Sequence, residues 1–86
     1  MNELPIPPQV RDAKKAMELA RIWIADGDQQ IILSSNLWDD PAAWGLMLVD
    51  LARHISKAYA VQGRDESVVL ERIKKAFEAE YNSPTD

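Results

Sequence analysis

The stretch from Trp38 to Val61 constrains this chain more than any other. Asp39-Asp40-Pro41 is a strong helix start, with aspartate at the N-cap, proline at the first helical position and both carboxylates beside the positive end of the dipole. The pattern predicts a helix from about Pro41 to about Val61, ending near Gln62-Gly63. Trp44, Met47, Leu48, Leu51, Ile55, Ala58 and Tyr59 make one broad apolar face of it. Leu46 and Val49 lie outside that face, so the amino-terminal half, PAAWGLMLV, is apolar nearly all round. A helix of that character is wrapped by other elements. Either the rest of the chain wraps it, or Leu46, Val49 and their neighbours face a second copy, since large exposed apolar patches on small soluble proteins mark interfaces. Gly45 fits both readings. A glycine inside a helix costs roughly 1 kcal/mol relative to alanine, and close backbone approach is a reasonable cause.

Little else is available to do the wrapping. The chain has 86 residues, and a chain of that size buries only about 60–65% of the surface it exposes when unfolded. Residues 1–9 hold Pro5, Pro7 and Pro8, which fix their own φ and push preceding residues toward extended conformations, so they read as an arm. Residues 10–20, VRDAKKAMELA, predict a helix with Ala13, Ala16, Met17 and Ala20 on one side. Residues 21–25 admit two readings: an extension of that helix capped by Gly27, or a strand of β-branched and aromatic residues. Asp26-Gly27 is a tight-turn signal and residues 29–34 read as a strand. A lone strand leaves both rows of backbone groups unpaired, which favours a hairpin over about 21–34. A third helix follows Asp65 and runs to about Tyr81, with Val69, Ile73, Ala76 and Phe77 as its stripe. Residues 10–82 thus make a single domain, and 83–86 a frayed tail.

Charge and composition exclude several functions. Ten Lys and Arg against fourteen Asp and Glu give a net charge of -4, which argues against nucleic acid and against an anionic membrane as partners. There is no cysteine, hence no disulfide framework, no thiolate nucleophile and no zinc finger. The amino terminus carries no signal-peptide pattern, and no apolar run approaches the length of a membrane span, so a cytoplasmic location is expected. A single histidine leaves only carboxylates as metal ligands, and Asp26-Gly27-Asp28 is too short for a calcium loop. No phosphate-cradling glycine loop or serine elbow is present. No cofactor and no metal are expected.

One polar constellation remains. Asp50, Arg53 and His54 form a stripe on the central helix, and Asp50 and His54 are four residues apart, so their side chains can meet. A carboxylate that orients an imidazole is the arrangement of general-base catalysis, and Arg53 could clamp an anion. No nucleophile has a claim to the site, and a solvated helix face explains the stripe equally well. Trp23, Trp38 and Trp44 could line an aromatic pocket, although filling a small core is the simpler use of such side chains.

The run Trp38-Asp39-Asp40-Pro41-Ala42-Ala43-Trp44-Gly45, followed by Asp50-Leu51-Ala52-Arg53-His54, resembles a family of short bacterial proteins filed as a domain of unknown function. The likeness includes Ile22-Trp23-Ile24-Ala25-Asp26-Gly27 and covers most of the chain. It implies a stand-alone bacterial protein of one domain, and it supplies no catalytic residues. The resulting expectation is an α+β fold: an N-terminal helix, a small antiparallel hairpin, then two longer helices packed against it. The expected function is a non-enzymatic interaction or regulatory module, self-associating as a homodimer or capturing a protein partner around Trp38, Trp44, Leu46 and Val49. The alternative is a small-ligand site or weak enzyme on the Asp50/Arg53/His54 face.

Overall fold

Asp26 and Gly27 make the turn their identity predicts. Both have positive φ, 51° and 85°, the pair of left-handed residues that a two-residue type I′ loop requires. They join β1 (Ala20–Ala25) to β2 (Asp28–Leu33) in antiparallel register, with Ala25 opposite Asp28 and Ala20 opposite Leu33. Of the two readings of residues 21–25 the strand is therefore the one adopted. Facing residues share a side of the sheet, so Ala20, Ile22, Ile24, Gln29, Ile31 and Leu33 make an almost wholly apolar face. Arg21, Trp23, Ala25, Asp28, Gln30 and Ile32 make the other.

The structure is a computed structural model that describes residues 2–85. The chain divides into two compact units, Met1–Asp39 and Asp40–Asp86, and its secondary structure is α+β.

Within the first unit the amino-terminal helix is much shorter than expected. α1 spans Pro8–Arg11, a single turn with proline at its start, and residues 12–19 are irregular. The correction has a physical cause. An isolated helix of fewer than about 12–15 residues is marginal without a packed apolar face, and the expected stripe was mostly alanine, which buries little. Met17 is in fact exposed. Ala20, expected to end the helix, begins β1 instead. The arm is tied down by charge: Arg21 donates to Glu18 at 2.9 Å and to Glu3 at 2.8 Å. These carboxylates, Glu18 foremost, raise the Arg21 pKa above its ordinary value.

The second unit is a pair of helices, α2 (Ala42–Val61) and α3 (Glu66–Asn82). Asp40 Oδ1 accepts from the Ala42 amide at 2.9 Å, which satisfies one of the donors left open at a helix start. At the other end Gly63, with φ 92°, allows the left-handed closure of the Schellman motif. The Arg64 amide donates to the Tyr59 carbonyl and the Gly63 amide to that of Ala60. The Arg64 guanidinium then lies over the Tyr59 ring, 5.1 Å from its centroid, a cation–π contact across the turn.

Asp65 caps α3. Its Oδ1 accepts from the Ser67 hydroxyl at 2.7 Å and from the Val68 amide at 3.1 Å. These bonds, that of Ser67 first, hold its carboxyl below the ordinary value of 3.8. A carboxyl whose pKa is depressed by folding stabilises the fold above its unfolded pKa, and that contribution is lost as the pH falls through the folded value. Thermal melts of the wild type and Asp65→Asn should therefore differ at neutral pH, the wild type melting higher. The two midpoints should converge below the ordinary aspartate range. Circular dichroism at 222 nm across pH 2–7 checks this.

Candidate functional site

α2 meets α3 through its small residues. Val69 is 6% exposed and Ser56 fully buried, the two buried residues among those described. Ser56 donates its hydroxyl to the Ala52 carbonyl at 2.9 Å, so its polar group is satisfied inside its own helix. Ser56 shares a flank of α2 with Gly45, Ala52 and Ala60, at successive spacings of seven, four and four residues. A flank of such small side chains lets a neighbouring helix approach, and it leaves the larger apolar residues to either side.

Those larger residues are open. Leu48, Val49, Leu51, Ile55 and Tyr59 on α2 are all exposed, as are Phe77 and Tyr81 on α3. Phe77 and Tyr81 stack on each other with centroids 6.2 Å apart, one helical turn apart in sequence. Toward the amino-terminal end of α2 the two helices enclose a groove of about 260 Å³. Gly45, Leu48, Val49 and Ala52 line it from α2, and Leu70, Ile73 and Phe77 from α3. Arg53 and Lys74 are its two polar lining residues. A Cβ built on Gly45 meets nothing within 4 Å. Among the described residues of this unit the close approach expected there is thus not made, and the glycine leaves an open floor.

The residues singled out in sequence separate in space. Val49 lines the groove and is 49% exposed, whereas Leu46, at 73%, projects from α2 outside it. Trp44 lies on the first turns of α2 and is half-buried; Trp38 is half-buried in the first unit. Of the polar stripe, Arg53 reaches the groove. His54 Nδ1 lies 2.8 Å from the main-chain carbonyl oxygen of Asp50, so that nitrogen engages the helix backbone and not the Asp50 carboxylate. Among the described residues no ion pair joins Asp50 to Arg53 or His54. No group of three or more His, Cys, Asp or Glu among them could hold a metal ion. No helix among them is long and apolar enough to cross a membrane.

Sequence reasoning missed the contribution of α3. Periodicity puts Ile73 and Phe77 on the apolar stripe of α3 and leaves Leu70 beside it, and the signal that places all three at a groove is the smallness of Gly45, Ala52 and Ser56 opposite. Bulk on one helix facing smallness on the other leaves a channel where the bulk runs out.

The model of the family described as Domain of unknown function (DUF5076) matches residues 3–85. Among solved structures, one is described as "a putative pyruvate dehydrogenase from the photosynthetic bacterium Rhodopseudomonas palustrus CGA009". It is 40% identical to this chain, with a TM-score of 0.78, and the match covers 100% of this chain and 89% of that one. No curated protein matches.

Proposed function

Taking as premise that the chain belongs to the Domain of unknown function (DUF5076) family, we propose that it is a non-enzymatic interaction module that works by self-association through the open apolar face of α2 and α3. The observation that carries this reading is the groove between Val49, Leu48, Ile73 and Phe77. It is an apolar channel open to solvent, in a unit where Val69 is the one buried apolar side chain among the described residues. Two helices with so small a shared core are short of burial, and a second copy supplies it. A bacterial source is supported by the relative from R. palustrus, and a cytoplasmic location by the composition. The net charge of -4 keeps nucleic acid out of the reading.

The groove does not suit the activity in that relative's name. Oxidation of a 2-oxo acid relies on an electron-sink cofactor that the protein must bind and orient. The groove has no converging polar donors beyond Arg53 and Lys74, which is a poor cradle for one. A second reading, a small-ligand site on the Asp50/Arg53/His54 face, keeps one support: Arg53 and Lys74 stand together at the groove and suit an amphipathic anion.

Light scattering over a dilution series tests the main reading. The wild type is expected at twice the chain mass in the micromolar range. Val49→Glu puts a carboxylate into the apolar contact and, in an isologous pair, opposite a like charge, so association should weaken by about a hundredfold or more. Leu46→Glu tests the neighbouring exposed position. Circular dichroism confirms that the helices persist. A wild type that is monomeric throughout, or association that survives both substitutions, overturns the proposal.

A further inference from the structure

The free edge of β2 is built to pair with another strand. The Ser34 amide donates to the Leu19 carbonyl at 2.9 Å, which continues the β1–β2 register and fixes its parity: even-numbered residues of β2 turn their backbone groups toward β1. Gln29, Ile31 and Leu33 therefore turn theirs outward, because antiparallel hydrogen-bonding alternates residue by residue. Among the described residues the sheet has two strands, so β2 has no neighbour on that side. All six of its residues are exposed.

Natural edge strands carry protection: proline, lysine, a bulge or a covering segment. β2 reads Asp28-Gln29-Gln30-Ile31-Ile32-Leu33 and has no proline and no lysine, and its register with β1 is continuous, with no bulge. β1 differs. Residues Asn2–Ile6 of the arm share a groove with Ala20–Trp23, and Glu3 is bound to Arg21 at 2.8 Å. The unprotected edge is that of β2.

We propose that β2 pairs antiparallel with β2 of a second copy about a two-fold axis at Ile31, so that two hairpins make one four-stranded sheet. The inference rests on the self-association reading and gives it a second contact. The register follows from parity. The two apolar faces stay on one side of the joined sheet only if the paired residue numbers sum to an even value. A sum of 62 sets Ile31 against the partner's Ile31 and Gln29 against the partner's Leu33. All three outward residues are then bonded, about six bonds at two per facing pair. A sum of 60, centred on Gln30, leaves Leu33 without a strand partner, bonds only Gln29 with the partner's Ile31 and the reverse, and faces Asp28 with the partner's Ile32.

Energetics favour the joined sheet. A lone two-stranded hairpin is marginal in water, and three or more strands with an apolar face are needed for independent stability. Here that face has Ile22, Ile24, Ile31 and Leu33 between 51% and 69% exposed. A second copy is the occupant that the edge itself specifies: Gln29, Ile31 and Leu33 are evenly spaced about Ile31, so β2 is complementary to itself in antiparallel pairing and each outward residue finds a partner.

The absence of native cysteine gives a clean test. In the proposed register Gln30 faces the partner's Ile32 as a pair without mutual hydrogen bonds, with Cα atoms about 4.5 Å apart, inside the range that a disulfide spans. Both side chains are exposed on the polar face, so Gln30→Cys and Ile32→Cys leave the hairpin intact. Chains carrying Gln30→Cys are mixed with chains carrying Ile32→Cys, oxidised mildly and run on a non-reducing gel. The mixture is expected to give at least tenfold more covalent dimer than either variant alone. Dimer from Gln30→Cys alone overturns the register centred on Ile31. A wild type that is dimeric by light scattering, with no mixed cross-link, overturns the strand-edge pairing and leaves self-association standing. A wild type that is monomeric at all concentrations overturns both.

Discussion

Replacing Val69 with aspartate is expected to melt the α2–α3 pair at neutral pH, with loss of most helical signal at 222 nm. Val69 is the sole buried apolar residue among those described. An unpaired charge at such a site costs about 3–5 kcal/mol. A domain of this length has roughly 4–13 kcal/mol to lose at typical stability per residue. The same site distinguishes charge from packing. Val69→Ala removes two methyl groups and should cost only about 1–2 kcal/mol. The aspartate variant should also recover part of its stability below about pH 4, because a buried carboxyl takes up a proton before it unfolds the protein. A Val69→Asp chain that melts like Val69→Ala at pH 7 would mean that water reaches this position freely. The helix pair would then have no core of its own.

The parts of the fold written in short-range chemistry are legible from the chain. Asp26-Gly27, Asp40-Pro41, Gly63 and Asp65 each specify a local backbone state, and each stands where the corresponding turn or cap is made. Periodicity places α2 and α3 within a residue or so of their ends. What is not legible is which flank of α2 its neighbour takes. The broad face of Trp44, Leu48, Leu51 and Ile55 has the greater apolar area, so area alone assigns it to the core. The structure buries Ser56 instead. Serine bonded back to the Ala52 carbonyl presents a small surface with its polar demand met, and nothing in composition or hydropathy announces that. The amino-terminal segment departs from its helical spacing for a related reason. Ala13, Ala16, Met17 and Ala20 have helical spacing but too little bulk to hold a helix against solvent, and spacing alone does not weigh bulk. The candidate site is half legible on the same terms. Val49 is found from its position on an apolar helix, whereas Leu70, Ile73 and Phe77 join it only because of what α2 lacks opposite them.

Gly45→Leu should move two measurements in opposite directions. Glycine inside a helix costs about 1 kcal/mol against a good helix former, and a Cβ at this position meets nothing within 4 Å. At concentrations low enough to keep the chain monomeric, the variant should therefore melt higher, by the few degrees that about 1 kcal/mol gives a domain of this size. The added isobutyl group would occupy the floor of the groove that Leu48, Val49 and Ile73 also line. A second copy seated there would lose contact area and meet a steric clash, so the dissociation constant should rise at least tenfold. Gly45→Ala keeps the stability gain with a smaller loss of association, because one methyl group fills less of the floor. Association that strengthens with leucine would instead mean that the groove is not the seat of the second copy. The added apolar side chain would then simply be enlarging an interface elsewhere on α2. A helix that accepts alanine or leucine without strain yet carries glycine is trading local stability for open space, and the open space is what a partner would use.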